Sequence, residues 1–387
     1  MNLHEFQAKQ LLREVGISVA QGELVDSPLA AVEAARQLGG NQWIVKAQVH
    51  AGERASAGGI RRIDDLDQLL IFSQSLLGKR LITPQNAPEG QPVSQLLIEV
   101  PFVAVHEYFL SVTTAPHNGK IIFLAAALGM TQGLALSNQQ PENYHCVEIE
   151  PVAGLQAFQC RQLALKLGIN KAIWLDFFKI VKSLYKLLID RDLLLIELNS
   201  FAEDSDGKLV VLGAKICVDD NALPRQAKLA ELMDLSQDRF HLHHTSSPGL
   251  ELICLEGNIG CVVNGTGLAL ATLDMVQLKG GSIGNIVDVG EGASATELAA
   301  AFGFLWDGGH CEAILVNIIG GIVQCDTVAT GVIDGLKKYN ENCQVIVRME
   351  GTKADEAREQ FIQYGYGVQV VEDFDVAVMM AISSVAE

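Results

Sequence analysis

The chain lacks the short motifs by which several nucleotide-binding and metal-binding proteins are recognised. It has no G-x-G-x-x-G fingerprint, which defines Rossmann dehydrogenases, and no G-x-x-x-x-G-K-[ST] loop, which defines P-loop NTPases. The sequence therefore does not support either class. Its eight cysteines form no C-x-x-C pair and lie mostly in apolar runs. We therefore expect reduced, buried thiols in a cytosol-like compartment, and a cytoplasmic protein.

Positive charge and long apolar runs are also scarce. The 28 Lys and Arg residues against 46 Asp and Glu residues give a formal net charge of -18. Nucleic acids and anionic membrane surfaces select for clustered Lys and Arg, so neither is an expected partner. The longest apolar stretch, Ile121 to Met130, is far shorter than the roughly 20 residues that span a bilayer. The first residues show no signal-peptide pattern, and we expect no membrane segment.

The 387 residues, of which 49% are hydrophobic, provide for two or three domains with buried cores. Strands with interspersed helices make residues 1–240 an α+β region. Residues 241–249 are rich in His, Ser and Thr and are predicted to be a linker. A metal site at His241 to His244 is the less favoured interpretation, because no second ligand cluster accompanies it. Residues 250–387 alternate strand and helix, which predicts a doubly wound parallel sheet.

The most informative stretch begins with a buried-strand pattern, Ile314 to Ile319, that leads into Gly320-Gly321 and then a helix. Paired glycines between a strand and a helix leave backbone N-H groups at the helix start, where anions bind. Asn264 follows another predicted strand of the same sheet. The carboxyl ends of parallel strands meet at one edge, so Asn264 and Gly320-Gly321 are predicted to face one ligand crevice.

The N-terminal region offers two further candidates. Lys46 ends a predicted strand ahead of a glycine-containing loop, so its ammonium could contact nucleotide phosphates, although a solvated strand lysine is the alternative. Glu197 and Asn199 are two apart on a predicted strand, so their side chains point the same way and could share a Mg2+ or phosphate neighbourhood. Polar residues on the wet face of a half-buried strand are the alternative there.

Four segments carry a family resemblance. The opening Met-Asn-Leu-His-Glu-Phe-Gln-Ala-Lys-Gln, Lys46 to Gly59, Leu255 to Gly265 and Val316 to Val323 resemble the β subunit of succinyl-CoA synthetase, in collinear order over essentially the whole chain. The resemblance implies an N-terminal ATP-grasp domain and a C-terminal flavodoxin-like CoA-ligase domain that contacts an α subunit. It also implies the chemistry of an ADP-forming succinate-CoA ligase of the tricarboxylic acid cycle. Such an enzyme interconverts succinate, CoA and ATP with succinyl-CoA, ADP and phosphate through a phosphohistidine on the α subunit, as an αβ or α2β2 assembly.

The resemblance also implies roles for individual residues. Asn199 would bind Mg2+, and Glu197 would meet the phosphohistidine near the nucleotide. Asn264, Gly321, Ile322 and Val323 would hold the dicarboxylate. The ATP or ADP site would include Lys46, Glu53, Arg54, Ala55, Glu99, Phe102 and Glu107.

Several positions differ from the family pattern. Gly213 stands where the family has its second magnesium ligand, an aspartate, and Glu53 and Ala55 stand where glycines cover the phosphates. The chain also differs from the family at Leu128-Gly129-Met130, Ser200 and Glu291. The carboxylates of Glu203, Asp219 or Asp220 could replace the missing second magnesium ligand. The sequence leaves two alternatives open. One is a diverged, non-catalytic paralogue that binds an α subunit without productive Mg-nucleotide binding, and the other is a ligase for malate or another dicarboxylate. The sequence also does not decide whether the nucleotide substrate is ATP or GTP.

Overall fold

The computed structural model of the chain divides into two compact units, Met1–Asp238 and Arg239–Glu387. The segment predicted to be a linker, 241–249, contains a two-residue strand, and the domain limits given above stay predictions. The structure describes residues 1–86, 90–127, 144–234, 236–237, 243–244, 250–253, 255, 257–290, 293–306, 311–321, 323–339, 343–365 and 367–385.

The first unit mixes strands with helices, as the α+β prediction requires. Its 3-10 helices are Lys171–Ile173 and Asp220–Arg225. Its α-helices are α1 (Glu5–Glu14), α2 (Pro28–Leu38), α3 (Leu66–Leu76), α4 (Ala157–Lys166), α5 (Trp174–Asp190) and α6 (Ala227–Ala230). Its strands are β1 (Gly22–Val25), β2 (Trp43–Ala47), β3 (Ile60–Ile63), β4 (Arg80–Leu81), β5 (Gln91–Pro92), β6 (Leu96–Glu99), β7 (His106–Ala115), β8 (Lys120–Ala127), β9 (His145–Ile149), β10 (Leu193–Glu203), β11 (Leu209–Val211) and β12 (Ala214–Val218).

Two antiparallel sheets organise the first unit. One has the order β1-β6-β2-β3, and it places Lys46 of β2 next to Leu97 of β6. The other has the order β11-β10-β7-β8-β9, with β12 also paired to β10. Each sheet packs against its own core cluster. Glu197 and Asn199 therefore lie on β10, an interior strand of the second sheet.

Local sequence signals explain the helices. The Oγ of Ser27 accepts a hydrogen bond from the backbone N-H of Ala30, Pro28 occupies the first turn of α2, and Gly39 ends the helix with a positive φ of 75°. In α5, the spacing of Phe177, Val181, Leu184 and Leu188 places one apolar stripe against the core.

The second unit is a doubly wound sheet, as predicted. It contains the 3-10 helix Phe302–Trp306 and the α-helices α7 (Thr266–Leu278), α8 (Ala295–Ala301), α9 (Cys325–Tyr339), α10 (Ala354–Tyr364) and α11 (Phe374–Ser383). Its strands are β13 (His243–His244), β14 (Leu250–Ile253), β15 (Ile259–Val263), β16 (Ile283–Val289), β17 (Ala313–Gly320), β18 (Gln344–Gly351) and β19 (Val368–Val370).

The order of the strands identifies the sheet as flavodoxin-like. The full order is β13-β14-β16-β15-β17-β18-β19, with the first two pairings antiparallel and the other four parallel. Numbered along the chain, the parallel strands β15 to β19 follow the order 2-1-3-4-5, whose switch point lies between β15 and β17.

Both faces of this sheet are covered, which explains the continuous apolar runs. On β17, Ile314, Val316 and Ile318 pack into one core cluster and Leu315 into the other. A strand buried on both faces needs no polar alternation. Within the described ranges, no helix is long and apolar enough to cross a membrane.

Candidate functional site

The first candidate site is a buried cluster of charges in the first unit, which we call the Lys46 cluster. Its members are Glu5, Lys9, Lys46, Arg54 and Glu99. They come from α1, β2, the loop after β2 and the end of β6. Lys46, Arg54 and Glu99 were predicted as site residues, and the structure brings these three together. Lys46 is only 7% exposed, so the alternative interpretation of a solvated strand lysine is wrong.

The two lysines of the cluster share the same three acceptors. Lys46 Nζ lies 2.8 Å from Glu5 Oε1, 2.7 Å from Glu99 Oε2 and 2.6 Å from the carbonyl oxygen of Leu212. Lys9 Nζ lies 2.8 Å from Glu5 Oε1 and 2.7 Å from the same carbonyl, and it also pairs with Glu99. An ammonium has three donors, so those of Lys46 are all engaged within the protein.

The charges of the cluster shift the pKa values of its members. Burial alone would raise the pKa of Glu5, but Lys46, Lys9 and Arg54 together lower it well below its usual 4.5. Burial lowers the pKa of Lys9, and the neighbouring charge of Lys46 acts in the same direction. Burial opposes the charged form of Lys46 as well, but Glu5 and Glu99 outweigh it and raise the pKa of Lys46. Glu5 and Lys46 are therefore charged at neutral pH.

Glu5 and Lys9 were not predicted as site residues. They are one turn apart on α1, and both are buried together with Ala8 and Leu12. Ionised side chains on the buried face of an amphipathic helix are rarely found without a partner. This pattern was the available signal, but it does not identify partners as distant in sequence as Lys46 and Glu99.

The loop after β2 closes on itself beside the cluster. The backbone N-H groups of Ala57 and Gly59 donate to the carbonyl oxygens of Glu53 and Arg54, at 3.3 and 2.7 Å. Glu53 and Ala55 are exposed, and Glu53 has a positive φ of 56°, a conformation that favours glycine. Arg54 turns inward, where it pairs with Glu5 and donates to the carbonyl oxygen of Ala47 at 2.7 Å.

The other predicted nucleotide contacts lie near the start of β7. Phe102 is half-buried in the connection between β6 and β7, and Glu107 lies on β7 opposite Ala202 of β10. Neither belongs to the Lys46 cluster, and their roles stay predictions.

Glu197 and Asn199 occupy neighbouring positions on one face of β10. Glu197 is paired in register with Ser111 on one side and Lys215 on the other. Burial raises the pKa of Glu197, and the charge of Lys215 partly opposes this. Asn199 is exposed. The arrangement leaves a half-buried carboxyl group with a raised proton affinity next to an exposed amide.

The family's second magnesium-ligand position does not fit a metal ion in this structure, and the role of Asn199 as a magnesium ligand stays a prediction. Gly213 has no side-chain oxygen, and a Cβ atom added to it would lie 2.1 Å from the carbonyl oxygen of Asn199. That contact is with backbone, so a side chain at position 213 requires the two segments to separate. Among the described residues, no group of three or more His, Cys, Asp or Glu side chains could hold a metal ion.

The carboxylates considered as replacements are engaged elsewhere. Asp219 accepts a hydrogen bond from the backbone N-H of Asn221 at 3.0 Å, and Asp220 pairs with the amino group of Met1. Glu203 accepts from the Tyr108 hydroxyl at 3.0 Å. The segment Leu128-Gly129-Met130 and Glu291 lie outside the described residues.

The second candidate site, in the second unit, is the switch point of the parallel sheet. Asn264 follows β15, and Gly320 ends β17 with Gly321 directly after it, so both positions lie next to the switch point. Asn264 Oδ1 accepts from the backbone N-H of Ile319 at 2.8 Å, and its Nδ2 donates to the carbonyl oxygen of Ile319 at 2.6 Å. The structure thus brings Asn264 and the glycine turn together, as predicted, with the amide fixing the end of β17.

Asp288 is a further polar residue at this edge, which sequence reasoning did not assign to the site. It is the next-to-last residue of β16, opposite Val263 of β15, and it accepts a hydrogen bond from the backbone N-H of Gly265. Burial raises its pKa. Val323 is buried just before α9, and Ile322 lies outside the described residues. The predicted roles of Asn264, Gly321, Ile322 and Val323 in binding a dicarboxylate stay predictions.

Acidification tests the ion pairs of the Lys46 cluster. The pKa of Glu5 is lowered on folding, so its ionised form stabilises the native state above about pH 4.5, and this contribution disappears as the pH falls below that value. We therefore expect the difference in free energy of unfolding between the wild type and Glu5→Gln to shrink between pH 6 and pH 3.5. Urea unfolding at each pH measures it, and a difference that does not change with pH would contradict the assignment.

Comparison with known proteins identifies the class. A family model described as an ATP-grasp domain matches residues 2–203, and one described as CoA-ligase matches residues 262–381. An ATP-grasp domain followed by a flavodoxin-like CoA-ligase domain defines an acid-thiol ligase that takes ATP or ADP as substrate.

Relatives of similar length show to which family of ligases the chain belongs. The chain is 41% identical over 368 residues to the β subunit of the ADP-forming succinate-CoA ligase of Marinomonas sp. (strain MWYL1), covering 95% of each chain. It is 40% identical over 385 residues to the corresponding subunit of Methylobacillus flagellatus, covering 100% of each. The chain therefore belongs to the family of succinate-CoA ligase [ADP-forming] β subunits. An ATP citrate lyase from Methanothrix soehngenii, solved with citrate and coenzyme A, has a TM-score of 0.78 over 99% of both chains at 16% identity, which confirms the fold alone.

Proposed function

We propose that this chain is the β subunit of an ADP-forming succinate-CoA ligase that works with an α subunit. ATP would phosphorylate a histidine of the α subunit, the phosphoryl group would pass to succinate, and CoA would attack the succinyl phosphate. The family relationship over both domains supports this reaction, and the α partner follows from the naming of the relatives as β subunits.

The observation that carries the proposal is the charge of the Lys46 cluster. The cluster has three basic side chains, Lys9, Lys46 and Arg54, and two carboxylates. The side chains of Glu5, Lys9 and Glu99 are each 2% exposed, whereas those of Lys46 and Arg54 are 9% and 14% exposed. The accessible side of the cluster is therefore cationic, which suits an anion such as a nucleotide phosphate.

Phosphoryl transfer is accelerated mainly by positioning and by stabilising charge, and fixed cations supply both. Because the donors of Lys46 are engaged, a phosphate oxygen would replace one of its present acceptors. The Leu212 carbonyl is the neutral acceptor among the three and so the one most easily exchanged. Lys46 and Arg54 would supply the positive charge at the phosphates, because position 213 provides no ligand for Mg2+.

The switch point of the second unit supports the dicarboxylate half of the proposal. The N-terminus of α9, a helix of 15 residues, follows the Gly320-Gly321 turn and favours an anion there. Since Asn264 uses both amide atoms to hold Ile319, its contribution would be to fix the turn on which the carboxylate binds. Glu197, a carboxyl group with a raised pKa, would meet the phosphohistidine.

A specific observation favours a second candidate function, the non-catalytic paralogue that binds an α subunit. The Gly213 position is closed by the backbone of Asn199, and a carboxylate, Glu53, stands on the loop that would cover the phosphates. Under this candidate the chain would retain the fold without productive Mg-nucleotide binding.

Calorimetric titration of the purified chain with Mg-ADP distinguishes the two candidates. We expect saturable binding, which Arg54→Gln and Lys46→Ala weaken roughly ten-fold or more, because a hydrogen bond to a charged group contributes about 1.5–3 kcal/mol. Lys120→Ala is the matched control, since Lys120 pairs with Glu148 on the other sheet. Thermal unfolding of each variant shows whether it is folded. Absence of binding heat in the wild type would contradict the ligase proposal and support the paralogue.

A further inference from the structure

Two cysteines precede neighbouring parallel strands of the second unit. Cys311 lies two residues before β17 and Cys343 lies immediately before β18, and Ala313 of β17 is paired with Gln344 of β18. Both side chains pack into the same core cluster. In this register Cys343 is diagonal to Cys311, and an offset of one residue (about 3.3 Å) across strands about 4.8 Å apart corresponds to roughly 6 Å, within the range of about 4.4–6.8 Å between the Cα atoms of a disulfide.

The two thiols lie near each other at the amino ends of these strands, and each changes the pKa of the other. Cys311 Sγ lies 3.3 Å from the carbonyl oxygen of Ala313, and Cys343 Sγ lies 3.3 Å from that of Glu312. Gly260 on β15 makes room for the pair, because a Cβ atom there would lie 2.8 Å from Cys311 Sγ. The backbone of β15 and β17, together with the residues just before β17 and β18, therefore surrounds the sulfur atoms.

The interaction between the two thiols gives them different pKa values. It lowers the pKa of Cys311, and together with burial it raises the pKa of Cys343. Burial raises the pKa of the other described cysteines, including Cys261 and Cys325. Cys311 is half-buried whereas Cys343 is buried, so Cys311 is the more accessible of the two to a small molecule, and its lowered pKa acts in the same direction.

We propose that Cys311 and Cys343 form a reversible redox site that closes to a disulfide by exchange with a small-molecule disulfide. The Cys311 thiolate attacks one sulfur of the small disulfide, which releases one thiolate and leaves a mixed disulfide on Cys311. Cys343 loses its proton to that thiolate and attacks Cys311 Sγ, which releases the second half of the small molecule as a thiolate that takes a proton from solvent. Two protein thiols are oxidised, and one disulfide is reduced to two thiols.

The disulfide would connect the amino ends of β17 and β18. The switch point lies at the carboxyl ends of the parallel strands, so the redox site and the Asn264 site occupy opposite ends of β17. This inference stands on the thiol pair alone, and it does not depend on the chain being a ligase.

Incubating the full-length chain with glutathione at increasing ratios of oxidised to reduced form tests the proposal. Free thiols are then blocked by alkylation, and the chain is cleaved after Lys, Arg and Glu and analysed by mass spectrometry. Cys311 falls in peptide 298–312 and Cys343 in peptide 342–348, so the disulfide joins these two and is distinguished from Cys325. We expect the linked pair to appear under oxidising ratios and to disappear with dithiothreitol.

Two variants identify the order of attack. Without its resolving partner, Cys343→Ser should accumulate glutathione on Cys311, whereas Cys325→Ser should form the linked peptides as the wild type does. The proposal would be overturned if both cysteines were alkylated in the native chain at every ratio. It would equally be overturned if the linked peptides formed only in urea, since the native strands would then not bring the sulfur atoms together.

Discussion

Replacing Glu5 with glutamine is expected to lower the free energy of unfolding by about 3–5 kcal/mol, the range for breaking a buried ion pair by removing one partner. Glu5 is 3% exposed and is contacted by three cations, Lys9, Lys46 and Arg54. Glutamine keeps the size and one oxygen but removes the charge. The three basic side chains, of which Lys9 and Lys46 are buried, would then be left with the single carboxylate of Glu99.

The matched control is Glu14→Gln on the same helix. Glu14 is exposed, and its carboxylate lies 3.5 Å from Arg191, so we expect a loss below about 1 kcal/mol. Urea unfolding of both variants at pH 7 gives the comparison. Equal losses in the two variants would show that the Glu5 contacts contribute no more than a surface ion pair, and the basis for a cationic site at Lys46 would be removed.

The sequence predicts the second unit well because its signals are local. A run of apolar residues ending in Gly320-Gly321 contains the strand, its burial and its turn within a few positions. The alternation of strands and helices then implies parallel pairing. The family resemblance implied a flavodoxin-like domain, and the structure places the switch point between β15 and β17, because periodicity does not specify the order of strands in a sheet.

The charged cluster of the first unit depends on contacts between distant parts of the chain. Lys46 was identified from the glycine loop that follows it, but its burial comes from Glu5, Glu99 and the carbonyl of Leu212. The pattern of residues around position 46 contains no information about these partners. Likewise, Asn264 was predicted at the correct edge, but its two hydrogen bonds to Ile319 follow from the strand pairing and not from its neighbours in sequence.

Gly213 is another position at which the sequence does not reveal a contact with a distant segment, and here the consequence for function is larger. From the sequence, the position lacks a carboxylate, which suggests that Gly213→Asp would restore a metal ligand. The structure predicts a different result, because the Cβ atom itself would lie 2.1 Å from Asn199 O and 3.0 Å from its carbonyl carbon. We expect both Gly213→Asp and Gly213→Ala to lower the free energy of unfolding by about 1–3 kcal/mol or more, without a gain in Mg-ADP affinity.

The alanine variant shows that the backbone contact, and not the new carboxylate, causes the loss. Gly52→Ala is the control, because the atom nearest to its Cβ would be Oε1 of the flexible Gln85 side chain, which can move away. Gly52→Ala should lower the free energy of unfolding less than Gly213→Ala does.

If Gly213→Asp unfolded at the wild-type urea concentration and bound Mg-ADP more tightly, the segments at 199 and 213 would separate easily. The altered position would then be a simple loss of a ligand that one substitution restores. A destabilised variant with unchanged affinity would instead show that the backbone at Asn199 and the glycine at 213 are matched to each other. Recovering the family's metal site would then require changes on both segments.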